Sequence, residues 1–281
     1  MALEKTGDIL RDAFKKGYGV IATNIFNYET ISHTIKKAEE INKPVIIAFY
    51  PGWHTYIELD VVVEITKLCA NRVKVPVGLH LDHCMDFAGI MQAMHVGFSS
   101  VMYDGSTLPF EENIKNTADV VRVAKTLNID VEAELGHVGA ASRTEDFEDT
   151  AKFTRPEDAK EFVERTGCSS LAVAVGNAHG NYVRLPNLDI PRIKTIKEIV
   201  NIPLVLHGGS GIPDEQVKAA VKAGIAKMNV GTDYHNIYYK AIMDYDKLEG
   251  KRKSMFFCST EIRQDIFDFL DYKIKLLYPD V

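Results

Sequence analysis

The residues of this chain best suited to chemistry stand at the end of one apolar run. In VPVGLHLDHCMD, Val75–Asp86, a strand-like stretch gives way to His80, Asp82, His83 and Asp86. Such a run reads as a buried strand of a parallel sheet. Polar groups at its carboxyl end sit where α/β folds keep their reactive sites. An aspartate beside a histidine there suits proton transfer next to a metal ligand, with Asp82 as acid/base and His83 as ligand. Taken alone, the pair equally describes a strand end whose histidine bonds the backbone. Its meaning depends on partners elsewhere in the chain.

Two further histidines close apolar runs, His179 in GNAHG and His207 in HGGSG. Three histidines on three strand ends offer three nitrogens with positions left open, the donor pattern of catalytic zinc. Other strand ends bring Asn24 and Asn27, Asp104 in MYDGS, and Glu132 and Glu134 in VEAELG. His80 sits mid-strand, as a core histidine or a partner that orients the ligands. His33, His54, His95 and His235 fall on helix or loop patterns and read as ordinary surface or boundary histidines. The turn from His207 to Gly211 offers backbone N–H groups and Ser210 to a phosphate. A second turn, Asn229-Val230-Gly231-Thr232, follows the next strand. The two lie in the loops where barrels of this kind bind phosphate.

Eight apolar runs supply the strands that must position these groups: Gly19–Ile25, Val45–Phe49, Val75–Leu81, Ser100–Asp104, Val131–Leu135, Leu171–Val175, Leu204–His207 and Lys227–Val230. Between them, helical spacing marks Tyr28–Asn42, Asp60–Asn71, Phe87–His95, Glu111–Thr126, Arg155–Thr166, Asp189–Val200 and Asp214–Ala223. Thr154 and the Pro213-Asp214 pair look like caps at helix starts, and Gly97, Gly167 and Gly224 look like helix ends. A strand–helix unit repeated eight times predicts a (β/α)8 TIM barrel. A doubly wound sheet would bring a GxGxxG turn after its first strand, and none is present. Beyond the barrel, Tyr234–Asp246, a polar break at Leu248–Lys253 and one long helix over Ser259–Leu277 predict a C-terminal helical hairpin. Its apolar face, Ile262, Ile266, Phe269, Ile274 and Leu277, would cover the barrel or a neighbouring subunit.

The 281 residues suit one domain, 1–281, with a C-terminal helical extension from about 234. A net charge of −6 argues against a broad nucleic-acid surface, and Lys251-Arg252-Lys253 is too short to make one. No apolar run approaches the ~20 residues a membrane span needs. Four cysteines without CxxC spacing, and no signal-like pattern over Met1–Leu10, predict reduced thiols in a cytoplasmic protein.

The segments VPVGLHLDHC, GFSSVMYDGSTLPFEENI, VEAELG, TGCSSLAVAVGNAHGNY, IPLVLHGGSGIP and KMNVGTD make the chain, from about Asn24 to Asp233, similar to the class II, metal-dependent ketose-phosphate aldolases. That family includes fructose-bisphosphate and tagatose-bisphosphate aldolases. The resemblance implies that His83, His179 and His207 hold a catalytic Zn2+, with Asp104 and Glu134 forming a second or alternate metal site. It makes Asp82 the acid/base on the substrate hydroxyl. It assigns dihydroxyacetone phosphate to Gly180, Gly208, Gly209, Ser210, Asn229, Val230, Gly231 and Thr232, with Asn24 beside them. A monovalent cation, Na+ or K+, accompanies that phosphate in the family. Zn2+ would stabilise the carbanion left by carbon–carbon cleavage as an enediolate. A homodimer or homotetramer acting on a sugar phosphate, free of nucleic acid and membrane, is the implied assembly.

Four positions depart from the family pattern. The loop after the fifth strand usually reads GGxED and supplies a second acid; here it is Gly139-Ala-Ala-Ser-Arg-Thr-Glu145-Asp146, with the usual glutamate position near Ser142. Glu145, or else Asp146, is the expected substitute if the loop folds differently; otherwise both read as solvated loop charges. The second strand ends in Tyr50, ahead of Trp53, where a serine is usual. Gly231 replaces an Asp or Ala. The Arg that grips a distal phosphate has no clear counterpart in GKRKSMFF, where Arg252 is the nearest candidate. The aldehyde half of the site is therefore expected to differ, while the metal and dihydroxyacetone-phosphate halves are kept. A non-catalytic sugar-phosphate-binding or partner subunit on the same scaffold is the competing expectation.

Overall fold

A computed structural model describes residues 3–279; residues 1, 2, 280 and 281, at the ends of the expected 1–281 unit, lie outside the described residues. The chain opens with α1 (Thr6–Lys16), then alternates strand and helix: β1 (Val20–Asn24), α2 (Tyr28–Ile41), β2 (Val45–Phe49), α3 (Leu59–Ala70), β3 (Val77–Cys84), α4 (Phe87–Val96), β4 (Ser100–Tyr103), α5 (Phe110–Leu127). It continues with β5 (Asp130–Leu135), α6 (Pro156–Thr166), β6 (Ser170–Val173), α7 (Ile190–Val200), β7 (Leu204–Leu206), α8 (Asp214–Ala223) and β8 (Ile225–Val230). Each strand pairs in parallel with the next and β8 pairs with β1, which closes the barrel. The eight expected strands are all present.

Side chains alternate along each strand, and this sorts the barrel into layers. In β3, Val77, Leu79 and Leu81 join the apolar layer under the helices, while His80 and Asp82 face inward. At the amino end of the barrel the interior is apolar: Val20, Ala22, Ile46, Ala48 and Ala226 meet Ile9, Leu10 and Ala13 of α1. Helix α1 is absent from the expectations above, although Ile9, Leu10 and Ala13 have helical spacing. It plugs this end. A side chain at Gly78 would reach 2.7 Å from Thr6 Oγ1, so glycine in the strand lets the plug approach.

Helix boundaries follow local chemistry. Asn27 caps α2 in a reciprocal pair with Thr30. Asn42, Asn128 and Asn201 end α2, α5 and α7 in the left-handed conformation, as Gly97 and Gly167 do for α4 and α6. Two expected caps act otherwise. Thr154 does not cap α6; its hydroxyl donates to Leu135 O and accepts from Ala174 N, tying β5 to β6. Pro213 precedes α8 without a side-chain cap. The single helix expected over Ser259–Leu277 is two. After α9 (Thr232–Lys247), α10 (Met255–Glu261) and α11 (Arg263–Leu276) turn at Ile262. Ile262, Ile266, Ile274 and Leu277 are buried, and Phe269 stacks on Tyr234 at 5.9 Å. This face covers the barrel's own helices, while Met255 and Phe256 stay exposed.

The plug makes a prediction. Leu10→Ala removes a side chain that is 2 % exposed and leaves a cavity at the barrel end. It should destabilise by about 2–5 kcal/mol in urea unfolding; an unchanged midpoint would show that α1 is not part of the cooperative core.

Candidate functional site

At the carboxyl end of the barrel a cavity of about 460 Å³ opens. Its floor is a buried ionic stack. Lys227, on β8, places Nζ 2.9 and 2.8 Å from the two oxygens of Glu132 on β5. Both side chains are fully enclosed. Glu132 Oε1 also accepts from His207 Nε2 at 2.9 Å. This fixes the tautomer of His207: Nε2 keeps the proton, and the lone pair of Nδ1 faces His83 Nε2. Glu132 is therefore a partner beneath the site rather than a rim carboxylate. His80 lies beside it, bonded to Ser100 Oγ at 2.9 Å, and burial pushes it down to about 3, a neutral ring.

One layer up, Asp82 receives the amides of Asn24 (2.7 Å) and Asn229 (2.8 Å), one on each oxygen. Burial raises its pKa, but His83, His207 and Lys227 outweigh that and hold it below the usual carboxylate range. Asp82 is an ionised, oriented base. Glu134 is its opposite: burial, then the Asp104 carboxylate, push it up to about 8. Two carboxylates in one site thus take different protonation states.

His83 reaches the mouth by a backbone device. By alternation it should face the helices. Instead the register of β3 with β4 slips between Leu81 and Cys84, and His83 adopts φ 49. Among the described residues the other non-glycine positive φ values are all at helix-ending asparagines. A histidine held there costs of order 1–3 kcal/mol, a strain found at functional positions. Its Nδ1 sits 2.8 Å from Asp104 Oδ2 and its Nε2 2.7 Å from His207 Nδ1. Burial pulls His83 down, yet Asp82, Asp104 and Glu134 outweigh it and push it up to about 9.

His179 arrives on the loop after β6. That loop is laced to the loop after β5 by Ala141 N to His179 O and His179 N to Gly139 O, both 2.8 Å. Burial, then the neighbouring His83 and His207, push it down to about 3, the neutral form a ligand needs. The donor atoms of His83, His179 and His207 lie within 4.8 Å of one another, and His83, Asp104 and Glu134 form a second such group. Glu134 Oε2 is buried with no hydrogen-bond partner. Three convergent imidazoles and an orphaned carboxylate oxygen fit a divalent cation of intermediate softness.

The cavity also takes in Asn24, Gly180, Gly208, Ser210, Asn229, Gly231 and Thr232. Gly208 has φ 62, and a Cβ there would stand 2.0 Å from Ala178 O, so no other residue fits. Gly209 and Val230 are not brought into the cavity. Gly209 spends its N–H on Asn229 O at 3.0 Å, and Val230 is fully buried in the apolar layer. Glu145 is exposed and does not line the cavity. Asp146 is not a solvated loop charge; it accepts from Ala140 N (2.9 Å), Arg143 Nε (2.8 Å) and Lys152 Nζ (3.1 Å) and so braces the loop. Arg252 is exposed over the Phe257 ring.

Sequence reasoning missed three groups. His137, two residues beyond β5, lines the cavity. Its place directly after the VEAELG strand end was the available signal. His235 lines it too, with Nε2 2.9 Å from Asn24 O, so it is no surface histidine. Its position in the first turn of α9 points it at the mouth. Lys227 had no signal, since a lysine opening a strand looks like a solvated end. Tyr50 and Trp53 form the remaining wall, with ring centroids 5.7 Å apart. No Lys or Arg is among the described residues that line the cavity.

A family model described as "Fructose-bisphosphate aldolase class-II" matches residues 4–278. The fold is similar to that of the YdjI aldolase from Escherichia coli K12, with 35% identity, 99% of this chain and 98% of that one covered, and a TM-score of 0.88. It is also similar in fold to the fructose-bisphosphate aldolase Fba from Campylobacter jejuni, with 24% identity, 97% and 93% covered, and a TM-score of 0.81.

The ionic floor is testable. Lys227→Met leaves Glu132 charged inside the barrel with no cation beside it and only the His207 N–H as a partner. It should cost about 3–5 kcal/mol in chemical denaturation and weaken the binding of a divalent metal ion measured by competition with a chelator. A variant as stable as the parent would show that the pair is dispensable.

Proposed function

The chain belongs to the class II fructose-bisphosphate aldolase family, whose members are lyases for aldol cleavage and condensation, and from that premise we propose a zinc-dependent enzyme that splits a ketose phosphate into dihydroxyacetone phosphate and an unphosphorylated aldehyde. A ketose 1-phosphate or a modified sugar-acid phosphate has this form. One observation carries the choice of aldehyde. Tyr50 stands where a serine is usual and packs on Trp53, and no lysine or arginine is among the described residues that line the cavity, so a second phosphate has no cationic partner there. A 1,6-bisphosphate would pay for desolvating two negative charges without compensation.

His83, His179 and His207 would hold the zinc ion, with Asp104 and Glu134 available as an alternate set. When bound, the ion supplies Lewis acidity at the ketone oxygen. The chain does the rest. Asp82, fixed by Asn24 and Asn229, accepts the proton of the hydroxyl that becomes the aldehyde, and returns it in condensation. Gly180, Gly208 and Ser210 line the cavity beside the amino end of α9 at Gly231 and Thr232, where the helix dipole favours a phosphate. Na+ or K+ beside that phosphate belongs to the same reading. So do a single 1–281 unit, a cytoplasmic location and a homodimer or homotetramer. Among the described residues no helix is long and apolar enough to cross a membrane. Exposed Tyr56, Tyr239, Met255 and Phe256 support self-association. The non-catalytic alternative has less support, because an ionised Asp82 held by two amides has no purpose in a binding protein.

Dihydroxyacetone phosphate offered with a panel of aldehydes, with and without a zinc chelator, tests this. Condensation should be chelator-sensitive and favour unphosphorylated aldehydes by roughly tenfold or more in kcat/KM. A preference for glyceraldehyde 3-phosphate would sink the assignment of the aldehyde. Asp82→Ala should keep its zinc and lose about 10²–10⁴ in kcat; full activity would remove Asp82 from the mechanism.

A further inference from the structure

Cleavage leaves a carbanion on the dihydroxyacetone-phosphate carbon, and an acid must protonate it before product leaves. The loop carboxylates do not reach the cavity. Glu145 is exposed outside it, and Asp146 is consumed by Ala140, Arg143 and Lys152. Asp82 is committed to the hydroxyl proton, and His235 spends its Nε2–H on a backbone carbonyl. His137 remains. It stands at the start of the same loop, lines the cavity and is exposed to solvent. Its Nδ1 lies 3.2 Å from Ser106 Oγ, whose hydroxyl donates to Asp104 Oδ1 at 2.7 Å. With its proton given to Asp104, Ser106 can only accept from His137. Nδ1 therefore carries a hydrogen, the ring is oriented, and Nε2 is the atom left to exchange protons.

Resting on the aldolase reading above, we infer that His137 replaces the family's loop acid and protonates the carbanion. In cleavage the carbon–carbon electron pair stays on the hydroxyl-bearing carbon of dihydroxyacetone phosphate. Imidazolium Nε2–H gives its proton to that carbon, and the neutral ring is recharged from solvent. In condensation neutral Nε2 removes the same proton. The acid has moved from a carboxylate far along the loop to an imidazole at its root, which lets the outer loop be braced by Asp146 instead of mobile enough to deliver a side chain.

The test is exchange of dihydroxyacetone phosphate protons with D2O, followed by NMR on the zinc-loaded full-length enzyme with no aldehyde present. The wild type should exchange one proton of the hydroxyl-bearing carbon. His137→Ala should keep its zinc content and its affinity for dihydroxyacetone phosphate and lose exchange by about 100-fold or more. Added imidazole should restore it, which a merely structural role would not allow. Exchange by His137→Ala within about twofold of the wild type, or a loss that imidazole does not restore, overturns the assignment to His137. A wild-type enzyme that exchanges nothing overturns the aldolase reading, and this inference falls with it.

Discussion

A lysine and a glutamate are paired inside the barrel with no access to water, and the site is built on that pair. Isolated, either charge would cost several kcal/mol. Together, with His207 as a third partner, they close the electrostatic balance of the interior. The pair also has a direction. By accepting from His207 Nε2, Glu132 decides which nitrogen of that ring faces the mouth. Below it the barrel is plugged by α1 with aliphatic side chains; above it stand the polar groups of Asp82, His83 and Asn229. The apolar plug keeps water from reaching the pair from beneath, and the pair supports the layer that does chemistry.

The second layer depends on two departures from regular structure. A bulge in β3 with a positive φ at His83 turns a residue that alternation assigns to the helix layer into one that faces His179 and His207. The lacing of the β5 and β6 loops brings His179 in from beyond its strand end. Neither device stabilises the barrel, and the bulge costs energy. Both put imidazoles where a regular strand cannot. Asp82 needs no such device, because it stands on the inward side of β3 and meets amides from β1 and β8 directly.

Two kinds of wall meet in the cavity. His83, His179 and Asp82 share the cavity with the turn residues Gly180, Gly208 and Ser210, in a chain that belongs to the class II fructose-bisphosphate aldolase family. The opposite wall is aromatic and uncharged. No lysine or arginine is among the described residues that line the cavity, so its charged and titratable groups are carboxylates and imidazoles.

The sequence by itself determined the barrel, the strands and most of the helices, because period-two apolar runs and helical spacing are local properties. It also determined the histidines and Asp82, because ionisable residues after apolar runs are anomalous wherever the fold puts them. It could not show Lys227 as a buried partner of Glu132, since the two are 95 residues apart and their pairing exists only across the closed barrel. Nor could it separate Glu145 from His137 or His235. Which loop residues face inward is set by hydrogen bonds such as those that hold Asp146, and these form only when the loops pack on one another. Tertiary structure alone decided which of the chain's many polar groups share the mouth. That choice depends on distance between elements far apart in sequence, and local pattern contains no such distance.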